Sequence, residues 1–181
     1  MSSPRPLRIV VLDATERRAP WLSLWWRLGA AVSGADAVVR AGSWDEAYRG
    51  ISRALADLGG RALDLQIWGH GDDGRPLIDG GPVSLHALHA ALGILPKDST
   101  VWWRSCEVHR GPRGQRFAED AVRILGCVSV GHCVVVSAPN PLRQGAICAL
   151  RQGQRPWWPP DGAGLRGCST LRMAVPRWAY R

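Results

Sequence analysis

The sequence has almost no lysine. Lys97 is the only one, so the formal net charge of +8 at pH 7 comes almost entirely from arginine. The arginines are scattered through the chain, with no run of five or more, whereas nucleic-acid binding calls for basic residues clustered on one face. We therefore expect no nucleic-acid partner.

Long hydrophobic runs are also missing. No segment approaches the roughly 18 consecutive apolar residues of a transmembrane helix, so we expect no membrane partner. The N-terminal sequence MSSPRPLRIVVLDA has too short an apolar stretch for a signal peptide, and that stretch runs into Asp13 as a strand would. These features lead us to expect a cytoplasmic protein.

The five cysteines are odd in number and show no CxxC spacing. This pattern argues against a disulfide framework and against a zinc ribbon, and it favours a reducing compartment. The sequence also contains neither a phosphate-binding loop with its lysine nor a dinucleotide-binding fingerprint. We expect no cofactor and no structural metal.

Strand-like and helix-like segments alternate along the first three quarters of the chain. Apolar, β-branched strands are predicted over 7–14, 35–42, 63–71, 99–106 and 127–139. Helices are predicted over 19–34, 43–60, 84–95 and 111–126, the second opened by a capping box of Ser43 and Glu46. This alternation predicts a three-layer, doubly wound α/β sandwich with a mostly parallel sheet.

The rest of the chain is less regular. Residues 72–83 predict a loop or small hairpin, and 142–153 suit either two edge strands or a helix. Residues 155–164 are rich in proline, and 168–176 predict a last strand. No linker separates these segments, so we expect one domain over 1–181, with its core at about 7–140 and an irregular part at 141–181.

The ten tryptophans do not require a ligand. Trp21, Trp25, Trp68 and Trp102 fall at core positions of their elements, so we expect burial to explain them. Trp157 and Trp158 lie between prolines, where they could roof a cleft.

Two predicted strands end on residues whose side chains could take part in catalysis. LQIWGHG ends with His70 between two glycines, and STVWWRSC ends on Cys106. Catalytic groups in open α/β sheets gather beyond the carboxyl ends of the strands, and adjacent strands lie about 4.8 Å apart. An imidazole beside a thiol can take its proton, so the pair would form a nucleophile. The Gly71 N–H could donate to a developing oxyanion.

These strand ends resemble the dyad signature of caspase-like cysteine peptidases, which include caspases, clostripain and gingipains. The segment SCEVHRGPRGQRFAEDAVRILGCVSVGH is similar to bacterial caspase-like domains of unknown function found in large surface proteins and CHAT-type proteins. The resemblance spans roughly residues 7–164. It implies a caspase-like fold, His70 as general base, Cys106 as nucleophile and Gly71 in the oxyanion hole. Ser105 stands where the family more often has alanine.

The resemblance implies a protein or peptide substrate cleaved after a charged P1 residue, the residue on the acyl side of the scissile bond. Arg75 or Arg104 would suit an acidic P1 residue, and Asp72 or Asp73 a basic one. The candidate substrate-binding residues are Asp72, Arg75, Arg104 and Ser105. The sequence does not choose between the two charges, and it leaves the oligomeric state open.

Other interpretations remain. Zinc could bind Cys106, His109 and His70 with Glu107 or Asp72 as fourth ligand, and His86 and His89 share one helix face. The GHC sequence at 131–133 lies in an apolar strand and is expected to be core. For the whole chain, the first hypothesis is a cysteine endopeptidase acting through an acyl-enzyme. The second is a catalytically inactive caspase-like module that binds a partner protein.

Overall fold

The structure, a computed structural model, describes residues 5–16, 20–57, 59, 61–96, 98–136 and 145–168. Its strands are β1 (Leu7–Asp13), β2 (Ala37–Ala41), β3 (Leu63–Trp68), β4 (His70–Asp72), β5 (Arg75–Ile78), β6 (Gly81–Pro82), β7 (Thr100–Arg104), β8 (Val128–His132), β9 (Gly145–Leu150) and β10 (Gly167–Cys168). Its α-helices are α1 (Pro20–Val32), α2 (Trp44–Ala54), α3 (Leu85–Leu92) and α4 (Gly111–Leu125).

Seven strands form the central sheet in the order β10-β9-β8-β7-β3-β1-β2. The five strands from β8 to β2 are parallel, while β9 and β10 join antiparallel at one edge. The order reverses at β1, because the chain first adds β2 on one side of it and then β3 on the other. Such a reversal opens a crevice at the carboxyl ends of the strands.

Helices cover both faces of this sheet. On one face, α2, α3 and α4 pack over alternate residues of β1, β3 and β7 in the largest hydrophobic cluster. On the other face, Trp26 and Ala30 of α1 pack on Val10, Leu12 and Trp68. The predicted three-layer, doubly wound α/β sandwich with a mostly parallel sheet is therefore confirmed. No helix in the described ranges has the length and hydrophobicity needed to cross a bilayer.

The predicted orientation of α1 is wrong, although the helix itself is present. Trp21 and Trp25 are 48% and 41% exposed, not buried. The helix instead turns Trp26, Gly29 and Ala30 toward the sheet. A Cβ at Gly29 would overlap the Trp68 ring, so the missing side chain lets the helix approach that indole closely.

Local signals fix several boundaries as predicted. The Ser43 hydroxyl accepts a hydrogen bond from the Glu46 N–H, and the Ser84 hydroxyl accepts one from the Ala87 N–H, so each serine caps its helix. Residues 70–82 form a small sheet of three strands, β4, β5 and β6, so the hairpin predicted for this segment is present and the loop alternative is not.

The C-terminal part is only partly described. Of 142–153, residues 145–150 form one antiparallel strand, β9, and 142–144 lie outside the described residues. Residues 155–164 contain no helix or strand, as expected. The last strand begins at Gly167, and 169–176 lie outside the described residues.

Candidate active site

The register of two central strands brings the predicted dyad to one place. Trp68 of β3 is the partner of Arg104 in β7, so His70 and Cys106 each lie two residues beyond a matched pair. Both residues line the same cavity, of about 80 Å³, at the carboxyl ends of the strands. The ends of these two strands therefore place both side chains on the wall of one cavity.

Gly71 packs directly against the turn that carries Cys106. A Cβ at Gly71 would overlap the Cys106 carbonyl oxygen, and it would lie 2.9 Å from the Ser105 Cβ and 3.0 Å from the Cys106 N. Carbon atoms normally approach to about 3.5–4.0 Å, so only glycine fits here. The contact holds the His70 and Cys106 segments together.

Cys106 is half-buried and lies in a tight turn. Its Sγ accepts a hydrogen bond from the Val136 N–H at 3.3 Å. Burial raises the pKa of the thiol, and the neighbouring Glu107 carboxylate raises it further, while hydrogen bonding to Val136 opposes them. The thiol is therefore protonated at neutral pH and needs a base before it can act as a nucleophile.

The backbone beside the cysteine is strained. Glu107 has φ +55°, a left-handed conformation that is uncommon for a residue other than glycine. The turn is held by the Glu107 N–H, which donates to the Val134 carbonyl, and by the Glu107 carbonyl, which accepts from the N–H groups of Gly74 and Arg110. Strain of this kind is concentrated at functional sites.

His70 is held from two sides. Its Nε2 pairs with a carboxylate oxygen of Glu16, a side chain that is itself only 7% exposed. Its ring also makes a T-shaped contact with Trp26 of α1, with ring centroids 5.6 Å apart. The imidazole is 49% exposed, so it is oriented by the protein and remains open to solvent and substrate.

Glu16 was not predicted from the sequence. It follows the end of β1, the central strand next to β3, so three adjacent strand ends supply a carboxylate, an imidazole and a thiol. A carboxylate behind the base fixes its tautomer and orientation in many nucleophilic sites. The usable signal was the polar segment DATE, residues 13–16, directly after a buried strand.

Arg104 lies in the wall of the same cavity. Its guanidinium carbon is 4.2 Å from the Trp68 ring centroid and 4.3 Å from the Trp102 ring centroid, so two indoles sandwich the cation. Its Nη1 also donates to Gln66 at 3.4 Å. The side chain is thus a positive charge held rigidly beside the dyad.

The other candidate substrate-binding residues lie elsewhere. Asp72 and Arg75 form an ion pair with each other on the hairpin, and neither lines the cavity. Asp73 faces Arg113 of α4 at 3.8 Å. Ser105 is 1% exposed and lies beneath Gly71, with no hydrogen-bond partner for its hydroxyl among the described residues.

A second cysteine and histidine pair lies in the core. His109 Nδ1 is 3.5 Å from Cys148 Sγ, and His109 Nε2 is 3.2 Å from the Ser129 hydroxyl. Both His109 and Cys148 are completely buried. Burial lowers the pKa of His109 to about 3 and raises that of Cys148 well above its ordinary value. This pair is a neutral packing element that substrate cannot reach.

The zinc hypothesis is wrong for the described residues. His109 stacks on Trp158 on the α4 side of the sheet, while His70 contacts Trp26 on the α1 side, so the two imidazoles are on opposite faces. No group of three or more potential metal ligands occurs in the described part of the chain, and this includes the exposed His86 and His89.

The remaining aromatic and cysteine-containing segments are core elements. His132 and Cys133 are buried, as predicted for the GHC sequence, but His132 also lines the cavity that holds His70 and Cys106. Trp158 is 2% exposed and donates its indole N–H to the His109 carbonyl. Trp157 donates to the Ala149 carbonyl. Neither tryptophan lines the cavity that holds the dyad, so they do not roof it.

Comparisons with known proteins give a likeness in structure but none in sequence. No protein-family model and no curated protein matches the chain. Among solved structures, the chain is similar to a secreted C11 cysteine protease from Bacteroides thetaiotaomicron, solved in complex with an irreversible peptide inhibitor, with a TM-score of 0.48 and 13% sequence identity. The match covers 78% of this chain and 51% of that one, so the chain spans about half the length of the protease.

Proposed function

We propose that this chain is a cysteine endopeptidase in which Cys106 is the nucleophile and His70 the general base. The observation that carries the proposal is the shared cavity, which is lined by both side chains at the carboxyl ends of two adjacent parallel strands. Nucleophile and base must meet on a surface that substrate can reach. The buried His109 and Cys148 pair does not meet that condition.

The chemistry follows from the states of the two groups. His70 takes the proton of the Cys106 thiol as the sulfur attacks the substrate carbonyl carbon, giving a tetrahedral oxyanion and an imidazolium. The imidazolium returns the proton to the leaving amine when the C–N bond breaks, which leaves an acyl-enzyme. Water, deprotonated by His70, then attacks the thioester and releases the carboxylic acid product. The thiol and the neutral imidazole are regenerated.

Two further residues support this chemistry. The Gly71 amide is assigned to the oxyanion hole, because its residue packs against the backbone of Cys106 with no side chain between them. Glu16 is a positioning residue, because its carboxylate pairs with His70 Nε2 and stabilises the imidazolium that forms during attack. The substrate is a protein or peptide with a charged P1 residue.

The test is covalent labelling of the full chain with peptidyl acyloxymethyl ketones bearing acidic, basic and neutral P1 residues. In such a reaction the cysteine sulfur displaces the carboxylate leaving group and forms a thioether, which peptide mapping by mass spectrometry locates. We expect labelling confined to Cys106, abolished by His70→Ala and unaffected by His86→Ala, an exposed imidazole on α3.

The opposite result would favour the second hypothesis. Labelling that is absent with every probe, or that is spread equally over the other cysteines, contradicts the peptidase proposal and leaves a caspase-like module that binds a partner protein. Persistence of full labelling in His70→Ala would remove the imidazole from the mechanism.

A further inference from the structure

Two cysteine side chains meet in the core where the antiparallel strand β9 joins the parallel part of the sheet. Cys133 directly follows β8, and Cys148 lies in β9. Their Sγ atoms are 3.2 Å apart, and both residues are buried. Both thiols are free in the structure. The proposed peptidase mechanism uses neither sulfur.

The pairing of β8 with β9 places both cysteines on one face of the sheet. Gly131 is opposite Cys148 in the register. The Cys133 N–H donates to the Ala146 carbonyl, so the antiparallel pairing continues one residue beyond β8. Side chains two positions apart on a strand point to the same face, which makes Cys133 the diagonal neighbour of Cys148. The two residues belong to one hydrophobic cluster.

Little movement separates this contact from a covalent bond. A disulfide bond is about 2.05 Å long, so the two sulfurs need to approach each other by about 1.1 Å from their separation of 3.2 Å. Cys133 lies in a bend beyond the end of β8 rather than inside the strand. Its backbone can therefore make this adjustment without breaking the regular pairing of β8.

An oxidant reaches the pair when the edge of the sheet opens. The outer neighbour of β9 is the short β10, which is the last strand of the sheet, and strands near an edge open locally more often than central ones. Burial raises the pKa of Cys148 well above its ordinary value. The thiolate is the attacking species in disulfide exchange, so the bond forms slowly in the folded protein and faster while the chain folds.

We infer that Cys133 and Cys148 form a reversible disulfide bond in the presence of a small-molecule disulfide such as oxidised glutathione. One cysteine thiolate attacks a glutathione sulfur, and the S–S bond breaks to give a mixed disulfide and one glutathione thiol. The second cysteine then displaces the other glutathione. The chain loses two electrons and two protons, which reduce one glutathione disulfide to two thiols. This inference goes beyond the proposed peptidase function and does not depend on it.

The bond would connect β9 covalently to the end of β8. The two cysteines are 15 positions apart in the chain, and closing a loop of that length restricts the unfolded chain. For a domain of this size the stabilisation corresponds to a rise in Tm of about 6–12 °C. In a reducing compartment the pair remains two thiols. A single bond of this kind is not a disulfide framework, so the irregular cysteine spacing does not exclude it.

The test refolds the full chain, and separately incubates the folded chain, in oxidised or reduced glutathione. The remaining thiols are alkylated in denaturant, and the peptides are mapped by mass spectrometry. We expect oxidised protein to contain the Cys133 and Cys148 peptides joined and lighter by two hydrogen atoms, with a Tm about 6–12 °C above that of reduced protein. Dithiothreitol should reverse both changes. Cys133→Ala and Cys148→Ala should each abolish them, whereas Cys127→Ala, which removes another buried thiol, should retain them.

Three results would overturn the inference. The first is the recovery of Cys133 and Cys148 as unlinked thiols after refolding in oxidised glutathione. The second is a mixture of bonds in which either cysteine joins Cys106 or Cys127 as often as its neighbour. The third is a bond that forms but leaves Tm unchanged or lower, because closing it would then strain the sheet. If an alanine variant fails to fold, the peptide map and the Tm difference of the wild-type protein still decide the question.

Discussion

Replacing Gly71 by alanine is the most direct test of the geometry that joins the two halves of the site. The added methyl would lie 2.9 Å from the Ser105 Cβ and would overlap the Cys106 carbonyl oxygen. Against an ordinary carbon–carbon separation of about 3.5–4.0 Å, the Ser105 contact alone requires the turn carrying Cys106 to move away from Gly71 by about 0.6–1.1 Å, and the overlap with the carbonyl oxygen makes this a minimum.

The expected cost follows from that displacement. A misplacement of about 1 Å between reacting groups lowers the rate about 100-fold, and forcing an extra methyl into a packed site costs about 1–3 kcal/mol of stability. The assay is the second-order rate of Cys106 labelling by one acyloxymethyl ketone, with thermal unfolding measured in parallel. We expect the rate to fall about 100-fold in a protein that still folds.

The hairpin itself offers a matched control. A Cβ at Gly81 would lie 3.5 Å from the Ile78 carbonyl oxygen, an ordinary contact, and Gly81 has no positive φ. Gly81→Ala should therefore label Cys106 at the wild-type rate. If Gly71→Ala also labels at that rate with unchanged thermal stability, the close approach of Gly71 to Cys106 is incorrect, and the argument for a joined dyad fails with it.

Two further predictions concern a positioning carboxylate and a buried imidazole. Glu16→Gln should slow Cys106 labelling at least about tenfold, with Glu16→Asp intermediate, because the imidazolium loses its counter-charge; equal rates in all three proteins would contradict this. The contribution of neutral His109 to the free energy of unfolding should be complete above pH 6.5 and should fall by up to about 1.4 kcal/mol per pH unit below it. The reason is that between pH 6.5 and about pH 3 the imidazole of His109 is protonated in the unfolded chain but not in the folded one. Denaturant titrations at several pH values measure this, and the slope should be smaller in His109→Gln but unchanged in His86→Gln.

Much of the fold could be predicted because its signals are local. The sequence of β1 is apolar on both faces, which is typical of a strand covered on both sides. Ser43 and Ser84 mark the starts of α2 and α3, because each hydroxyl accepts a hydrogen bond from a backbone N–H in the first turn. The burial of α1 could not be predicted in the same way. Its apolar residues occupy more than one face, and the close approach allowed by Gly29 places Trp26, rather than Trp25, against the sheet.

The residues of the candidate site also differ in whether the sequence alone could identify them. His70 and Cys106 could be proposed because each directly ends a strand-like run, and strand ends in parallel sheets point to one edge. The partner of the imidazole was missed because Glu16 lies 54 positions before His70, and nothing in the local pattern links them. His109 has the residue type of a catalytic group, yet its neighbours Cys148 and Trp158 arrive from distant segments and enclose it.

The sequence by itself determined the order of strands and helices, the caps of α2 and α3, and the two residue types at the strand ends, since all of these depend on neighbours along the chain. Only the tertiary structure decided the strand order, which faces are covered, and which charges meet the cavity. Those features arise from side chains far apart in sequence, such as Arg104 enclosed by Trp68 and Trp102. The electrostatic character of the cavity is a sum over such contacts, and it exists only once the sheet has assembled.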